Sequence, residues 1–194
     1  KQKDIYYPLE GYLFPDTYKF RSREVTIPEI FKKLLDQMEL VLEPYKEKIK
    51  SSSFSVHEIL TLASIVELEA AGTDDRAGVA GVFYNRLNNN WSLGSDVTTY
   101  YAVKIDMSER DLFQSELDAI NDYNTRSSSM AGKLPISPTC IPSKESIKAT
   151  LYPTTHNYFY FVADKNKKTY FNENYDGHIR IISKLKEENL WFTY

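Results

Sequence analysis

Ser55-Val56-His57-Glu58-Ile59-Leu60-Thr61-Leu62-Ala63-Ser64-Ile65-Val66-Glu67-Leu68-Glu69-Ala70-Ala71 begins as a capping box and continues without a glycine or proline. A serine followed three residues later by glutamate satisfies two orphan amides at a helix start, so a helix is predicted to about residue 71. At about 100° per residue, Val56, Leu60, Ala63, Ala70 and Ala71 fall within about 60° of Glu67. Glu58 and Glu69 fall on the other side, beside Leu62 and Ile65. Glu67 thus interrupts an apolar stripe flanked by small residues. An unpaired carboxylate there would lose hydration, and its pKa is expected to rise, as a proton donor near neutral pH requires. The competing reading is a structural glutamate paired with Arg76 or Arg86, and periodicity alone does not separate the two. Glu69, two residues away and on another face, reads as a salt-bridge residue.

Working outward, a first helix is expected from Thr26 with Pro28 in its first turn, ending or kinking at Pro44. The aromatic opening at residues 6–15 reads as an extended, packed segment. A third helix is expected from Asp74 or Asp75 to Leu87, and another after Ser108 with Leu112, Leu117 and Ile120 as its apolar positions. Residues 121–142 form a long polar loop, of the kind more often functional than idle. Ser143 caps a short helix; residues 158–162 and 169–171 read as strands around a turn at 164–167, and a final helix runs from Gly177. The sum is one α+β domain over residues 1–194, mainly helical, with a small antiparallel element near the C-terminus.

The chain has 194 residues and a net charge of −3, which leaves no electrostatic footprint for nucleic acid. A single cysteine, Cys140, excludes an internal disulfide and a Cys-rich zinc site, and it is not placed like a nucleophile beside a base. His57, His156 and His178 lack metal-ligand spacing, so neither metal nor cofactor is expected. No apolar run reaches the roughly 18 to 20 residues of a membrane span. The start at Lys1 without methionine reads as a piece of a longer protein, with any anchor upstream.

Several blocks stand out: Leu9-Glu10-Gly11-Tyr12-Leu13-Phe14-Pro15-Asp16-Thr17-Tyr18, the segment from Leu62 to Glu69, and Val79-Ala80-Gly81-Val82-Phe83-Tyr84-Asn85-Arg86-Leu87. Leu93-Gly94-Ser95-Asp96, Tyr123-Asn124-Thr125, Tyr160-Phe161-Val162-Ala163-Asp164 and His178 follow them. In content and order these blocks together resemble the YceG-like endolytic murein transglycosylases. The chain departs from the family at Val97, where proline is usual, at Leu134-Pro135-Ile136-Ser137 in place of a Leu-Pro-Pro-Gly run, at Ser143 for glycine and at Ala70 for threonine. The resemblance implies cleavage of the β-1,4 bond from N-acetylmuramic acid to N-acetylglucosamine in peptidoglycan glycan strands, leaving 1,6-anhydro ends. It implies Glu67 as sole acid and base, without cofactor. The site expected around it comprises Ser95 and Asp96, as cleft residues or as a helix cap, and Tyr123, Asn124 and Thr125 as sugar contacts. Asp96 is the candidate should a second carboxylate be used. A LysM-like domain and a membrane anchor would precede this region, giving an extracytoplasmic location and association with cell-wall synthases. A non-catalytic glycan-binding module and a water-using muramidase are the rival readings.

Overall fold

The computed structural model describes residues 4–21 and 24–191. Its elements in chain order are α1 (Ile27–Leu42), α2 (Lys46–Lys50), α3 (Val56–Glu69), α4 (Arg76–Asn88), α5 (Asp96–Val103), α6 (Gln114–Leu117), α7 (Lys144–Leu151), β1 (Tyr160–Ala163), β2 (Thr169–Asn172) and α8 (Tyr175–Glu187). The expected α+β arrangement is found. The predicted capping box of Ser55 with Glu58 forms on α3, and α1 opens at Thr26 as expected, with a second box, Thr26 with Glu29, that the sequence reading does not include. Pro44 sits in a 3-10 turn, Glu43–Tyr45, that joins α1 to α2.

The centre is a layer of α3, α4 and α7 packed on one another. Every residue of α3 from Ile59 to Val66 is buried, so this helix has no solvent face over those two turns. Leu62, Ile65, Val66, Val79, Ala80, Phe83 and Leu93 form one apolar cluster; Leu60, Ala63, Phe14, Met38 and Ile147 form a second on the other side of α3. Gly81 lets α4 touch the segment entering β1, because a Cβ there would stand 2.7 Å from His156 Nε2 and closer still to the Thr154 carbonyl. The two strands are antiparallel, with Tyr160 opposite Asn172 and Ala163 opposite Thr169. Asp164 closes their turn by accepting from the Asn166 amide at 2.9 Å and the Lys168 amide at 3.0 Å. Helix α8 packs on both strands and begins at Tyr175, two residues before the expected start.

Three expectations are corrected. The opening segment folds into turns at residues 7–12 rather than running extended: the amide of Glu10 bonds Tyr7 O and that of Tyr12 bonds Leu9 O. Gly11 there has φ +84°, and a Cβ at that position would strike Pro138 at 2.5 Å, so the turn is clamped on the long loop. The helix expected after Ser108 shrinks to the four residues of α6, and Ile120 is left 80% exposed. Finally, Asp96 starts a helix, α5, that the sequence reading lacks. Its Val-Thr-Thr-Tyr-Tyr run has poor intrinsic helix propensity, and tertiary bonds hold it instead.

Candidate active site

Glu67 and Glu69 lie at the C-terminal end of α3, both partly accessible, in opposite electrostatic settings. Glu67 is surrounded by donors. Its Oε1 accepts from Arg76 Nη2 at 3.0 Å. Its Oε2 accepts from the Ser143 amide at 2.9 Å, the Ser143 hydroxyl at 2.5 Å and the Ser146 hydroxyl at 2.7 Å. Ser143 is the N-cap of α7, so the carboxylate also faces the positive end of that helix. Burial alone would raise the Glu67 pKa, but the serine bonds and Arg76 outweigh it and hold the carboxyl below its ordinary value. The expected rise is therefore corrected to a fall, and the Arg76 alternative left open by the sequence is the pairing found. Glu67 ties α3, α4 and α7 together through Arg76, Ser143 and Ser146.

Glu69 is the carboxyl that burial pushes up. The Ser95 hydroxyl, donating at 2.5 Å, pulls against that rise; Asp96 adds to it and Arg86 opposes it, and the net direction is upward. Among the described residues no cation lies within ion-pair distance of Glu69, so its expected salt bridge is not formed. A carboxyl that is desolvated yet still reachable from solvent can carry a proton to a bound substrate.

Of the five residues expected beside the catalytic group, Ser95 and Asp96 do converge on a glutamate, and it is Glu69. Ser95 stands at the N-cap position of α5, its hydroxyl turned to Glu69 rather than to the helix amides, and Asp96 is the first residue of the helix. Asp96 is half exposed and pairs with Arg126 at 2.6 Å. Thr125 is fully buried and braces this corner. Its hydroxyl accepts from the Ser95 amide at 3.0 Å and shares a 2.8 Å bond with the Thr98 hydroxyl. Tyr123 and Asn124, expected as sugar contacts, lie buried in the interior. Tyr123 is 2% exposed, with its hydroxyl on Ser137 Oγ at 2.7 Å. Asn124 is 0% exposed; its Nδ2 donates to the carbonyls of Leu117 at 2.9 Å and Ala119 at 2.6 Å, and its Oδ1 accepts from Thr99 Oγ1 at 2.8 Å. Asn124→Ala is accordingly expected to destabilise the fold by roughly 1–3 kcal/mol, since buried partners lose their bonds. A denaturant melt that does not move, with weakened glycan binding, would restore the contact role.

Arg86, offered by the sequence as a partner of Glu67, instead braces the neighbourhood of Glu69. Its Nε donates to Phe159 O at 2.8 Å and its Nη1 to Leu93 O, fastening α4 to the approach of β1 and to the loop that carries Ser95. His57 is structural: its Nε2 bonds Ile136 O at 2.8 Å, so that nitrogen donates and Nδ1 accepts from the Tyr12 hydroxyl at 2.6 Å. Burial pushes the Cys140 thiol up to about 12, with Glu67 adding to the rise, which keeps it protonated and unreactive. Among the described residues no three His, Cys, Asp or Glu side chains gather where they could hold a metal ion. No helix of the described residues is long and apolar enough to cross a membrane.

The YceG-like family model matches residues 1–184. The chain is 36% identical over 186 residues to a Bacillus subtilis protein named endolytic murein transglycosylase, covering 96% of this chain and 49% of that one. It is 36% identical over 190 residues to a Streptococcus pneumoniae protein of the same name, covering 95% and 33%. The chain thus spans between a third and a half of the length of these relatives. A crystal structure of a yceG-like protein from Listeria monocytogenes superposes with a TM-score of 0.84 at 33% identity, covering 92% of this chain and 57% of that one. With the family model matching nearly end to end and the fold shared at that level, this chain belongs to the YceG-like family.

Proposed function

We propose that this chain is the catalytic part of an endolytic peptidoglycan transglycosylase and that Glu69, rather than Glu67, is its acid and base. The observation that carries the reading is the contrast in hydrogen bonding: Glu69 accepts one hydroxyl, from Ser95, so burial favours its protonated form, while Glu67 is saturated by four donors. The names of the relatives support the substrate class. In the reaction, protonated Glu69 gives its proton to the β-1,4 glycosidic oxygen as the bond from N-acetylmuramic acid to N-acetylglucosamine breaks through an oxocarbenium-like state. The carboxylate then takes the proton of the sugar's own C6 hydroxyl, whose oxygen bonds C1 and closes the 1,6-anhydro ring. No water is consumed, so one carboxyl suffices where a hydrolase ordinarily uses two. Ser95 orients Glu69 throughout by its hydrogen bond to Oε1. The substrate places the site on the outer side of the cytoplasmic membrane, with cell-wall synthases as the natural neighbours.

Mass spectrometry of purified peptidoglycan after digestion tests this reading. Anhydro-N-acetylmuramic acid ends are expected. New reducing ends would instead mark a muramidase, with Asp96 as the second carboxylate, and no new ends would mark a binding module.

A further inference from the structure

The side chains of Trp91, Tyr160 and Tyr175 meet in a way that core packing does not account for. They arrive from three elements: the loop after α4, strand β1 and helix α8. Trp91 and Tyr175 both contact the Tyr160 ring, at centroid distances of 6.1 Å and 5.9 Å. Yet Trp91 is 43% exposed and Tyr175 59% exposed. Single exposed aromatics are ordinary, but a contiguous group sharing one ring marks a contact surface. The group is also held firmly. The Trp91 amide bonds Arg86 O at 2.8 Å, its carbonyl accepts from the Gly132 amide at 2.9 Å, and its indole packs on Phe159 at 4.9 Å. Tyr160 is stacked from another side by His178 at 5.4 Å and 28°. Presenting rigid aromatics costs little side-chain entropy on binding.

Arg86 connects this surface to the acid. Its guanidinium lies 5.8 Å from the Tyr160 ring centre and acts electrostatically on the Glu69 carboxyl. It also bonds the carbonyl of Leu93, two residues before the Ser95 that holds Glu69. Arg86 thus links the aromatic group to the segment whose Ser95 holds Glu69. The chemistry of the surface selects the ligand. Flat π faces with polar hydroxyl and indole edges suit a pyranose ring, whose axial C–H bonds form an apolar face and whose hydroxyl and acetamido groups stay at the rim.

Resting on the glycan-cleaving reading above, we propose that Trp91, Tyr160 and Tyr175 form a sugar platform beside Glu69. It stacks a ring of the β-1,4-linked N-acetyl amino sugar strand and sets the strand's position for cleavage. The platform is a binding element, and Glu69 remains the group that touches the reacting atoms.

The test uses stem-free peptidoglycan glycan strands and the Glu69→Gln protein, which would hold a strand without cutting it. The chain has two tryptophans, so Trp191→Phe in the same protein leaves Trp91 as the sole indole reporter. Saturable change in its emission is expected as strands are added. Trp91→Ala and Tyr175→Ala are each expected to weaken strand binding about five- to tenfold by calorimetry, the scale of one lost aromatic anchor. In the otherwise native enzyme they are expected to raise KM by more than they lower kcat. Tyr175 is the more exposed, so Tyr175→Ala carries the test should Trp91→Ala lower the melting temperature. Unchanged emission at saturating strand overturns the platform, as does parental affinity in Tyr175→Ala, while the glycan-cleaving reading stands if the parent still produces anhydro ends. Failure of the Glu69→Gln protein to bind strands, together with no cleavage by the parent, overturns both.

Discussion

Glu69→Gln is expected to lower turnover of glycan strands about a hundredfold or more, the scale on which a general acid–base contributes. Glutamine keeps the shape of the side chain and can still accept from Ser95, but it can neither deliver a proton nor recover one. The fold should not suffer. A carboxyl whose folded pKa is raised adds stability that is complete below its unfolded pKa and is lost as pH rises through the folded one. Above the unfolded carboxyl pKa, Glu69 therefore contributes a net cost to the folded state, and Glu69→Gln should melt at the parent temperature or above it. The same direction shapes the pH–rate profile: the first step needs protonated Glu69, so kcat/KM falls as pH climbs through its folded pKa, above the ordinary carboxyl range. Asp96→Asn should shift that limb to lower pH, because the Asp96 charge helps to keep the Glu69 proton on. Normal turnover in Glu69→Gln, with loss in Glu67→Gln, would return the acid to Glu67.

That Glu67 and Glu69 sit in settings a helical wheel does not foresee is a matter of burial. A helical wheel sorts residues by side, and it is informative when one side faces water. Helix α3 is enclosed from Ile59 to Val66, so its apolar stripe goes all the way round and no angle on the wheel marks a cleft. What separates Glu67 from Glu69 lies in distant segments: Ser143 and Ser146 on α7 for the first, Ser95 on α5 for the second. Arg76 was the one partner within reach of local reasoning. The α+β layout was legible because capping boxes, prolines and the Asp164 turn act locally. Asn124 was not, because a polar residue in a polar stretch looks solvent-facing until the carbonyls it satisfies are brought to it by the fold. Helix α5 escaped for the related reason that its stability comes from Thr98 and Thr125 rather than from its own sequence.

Glu67→Gln is expected to destabilise the fold by about 2–4 kcal/mol at neutral pH. The amount follows from the loss of charge-assisted bonds and of an ion pair that is only partly shielded, with side-chain exposures of 15% for Arg76 and 24% for Glu67. That residual exposure keeps the loss below the full penalty of a buried unpaired charge. Glutamine offers one oxygen where four donors now meet a carboxylate. If the oxygen stays on the Ser143 and Ser146 side, the amide nitrogen faces Arg76; if it turns to Arg76, the nitrogen faces two hydroxyls and an amide. Either way α7 loses the anion at its N-terminus. The pH dependence runs opposite to that of Glu69. The folded pKa of Glu67 is depressed, so its contribution is complete above the unfolded carboxyl value of about 4.3 and is lost as pH falls through the folded value. Denaturant melts of parent and variant at about pH 7 should therefore differ by the full amount, and melts in steps below about pH 4.5 should converge. A variant as stable as the parent at pH 7 would remove Glu67 from its structural role and reopen its candidacy as the acid. A difference that persists undiminished to about pH 2 would trace the loss to shape and packing rather than to the charge.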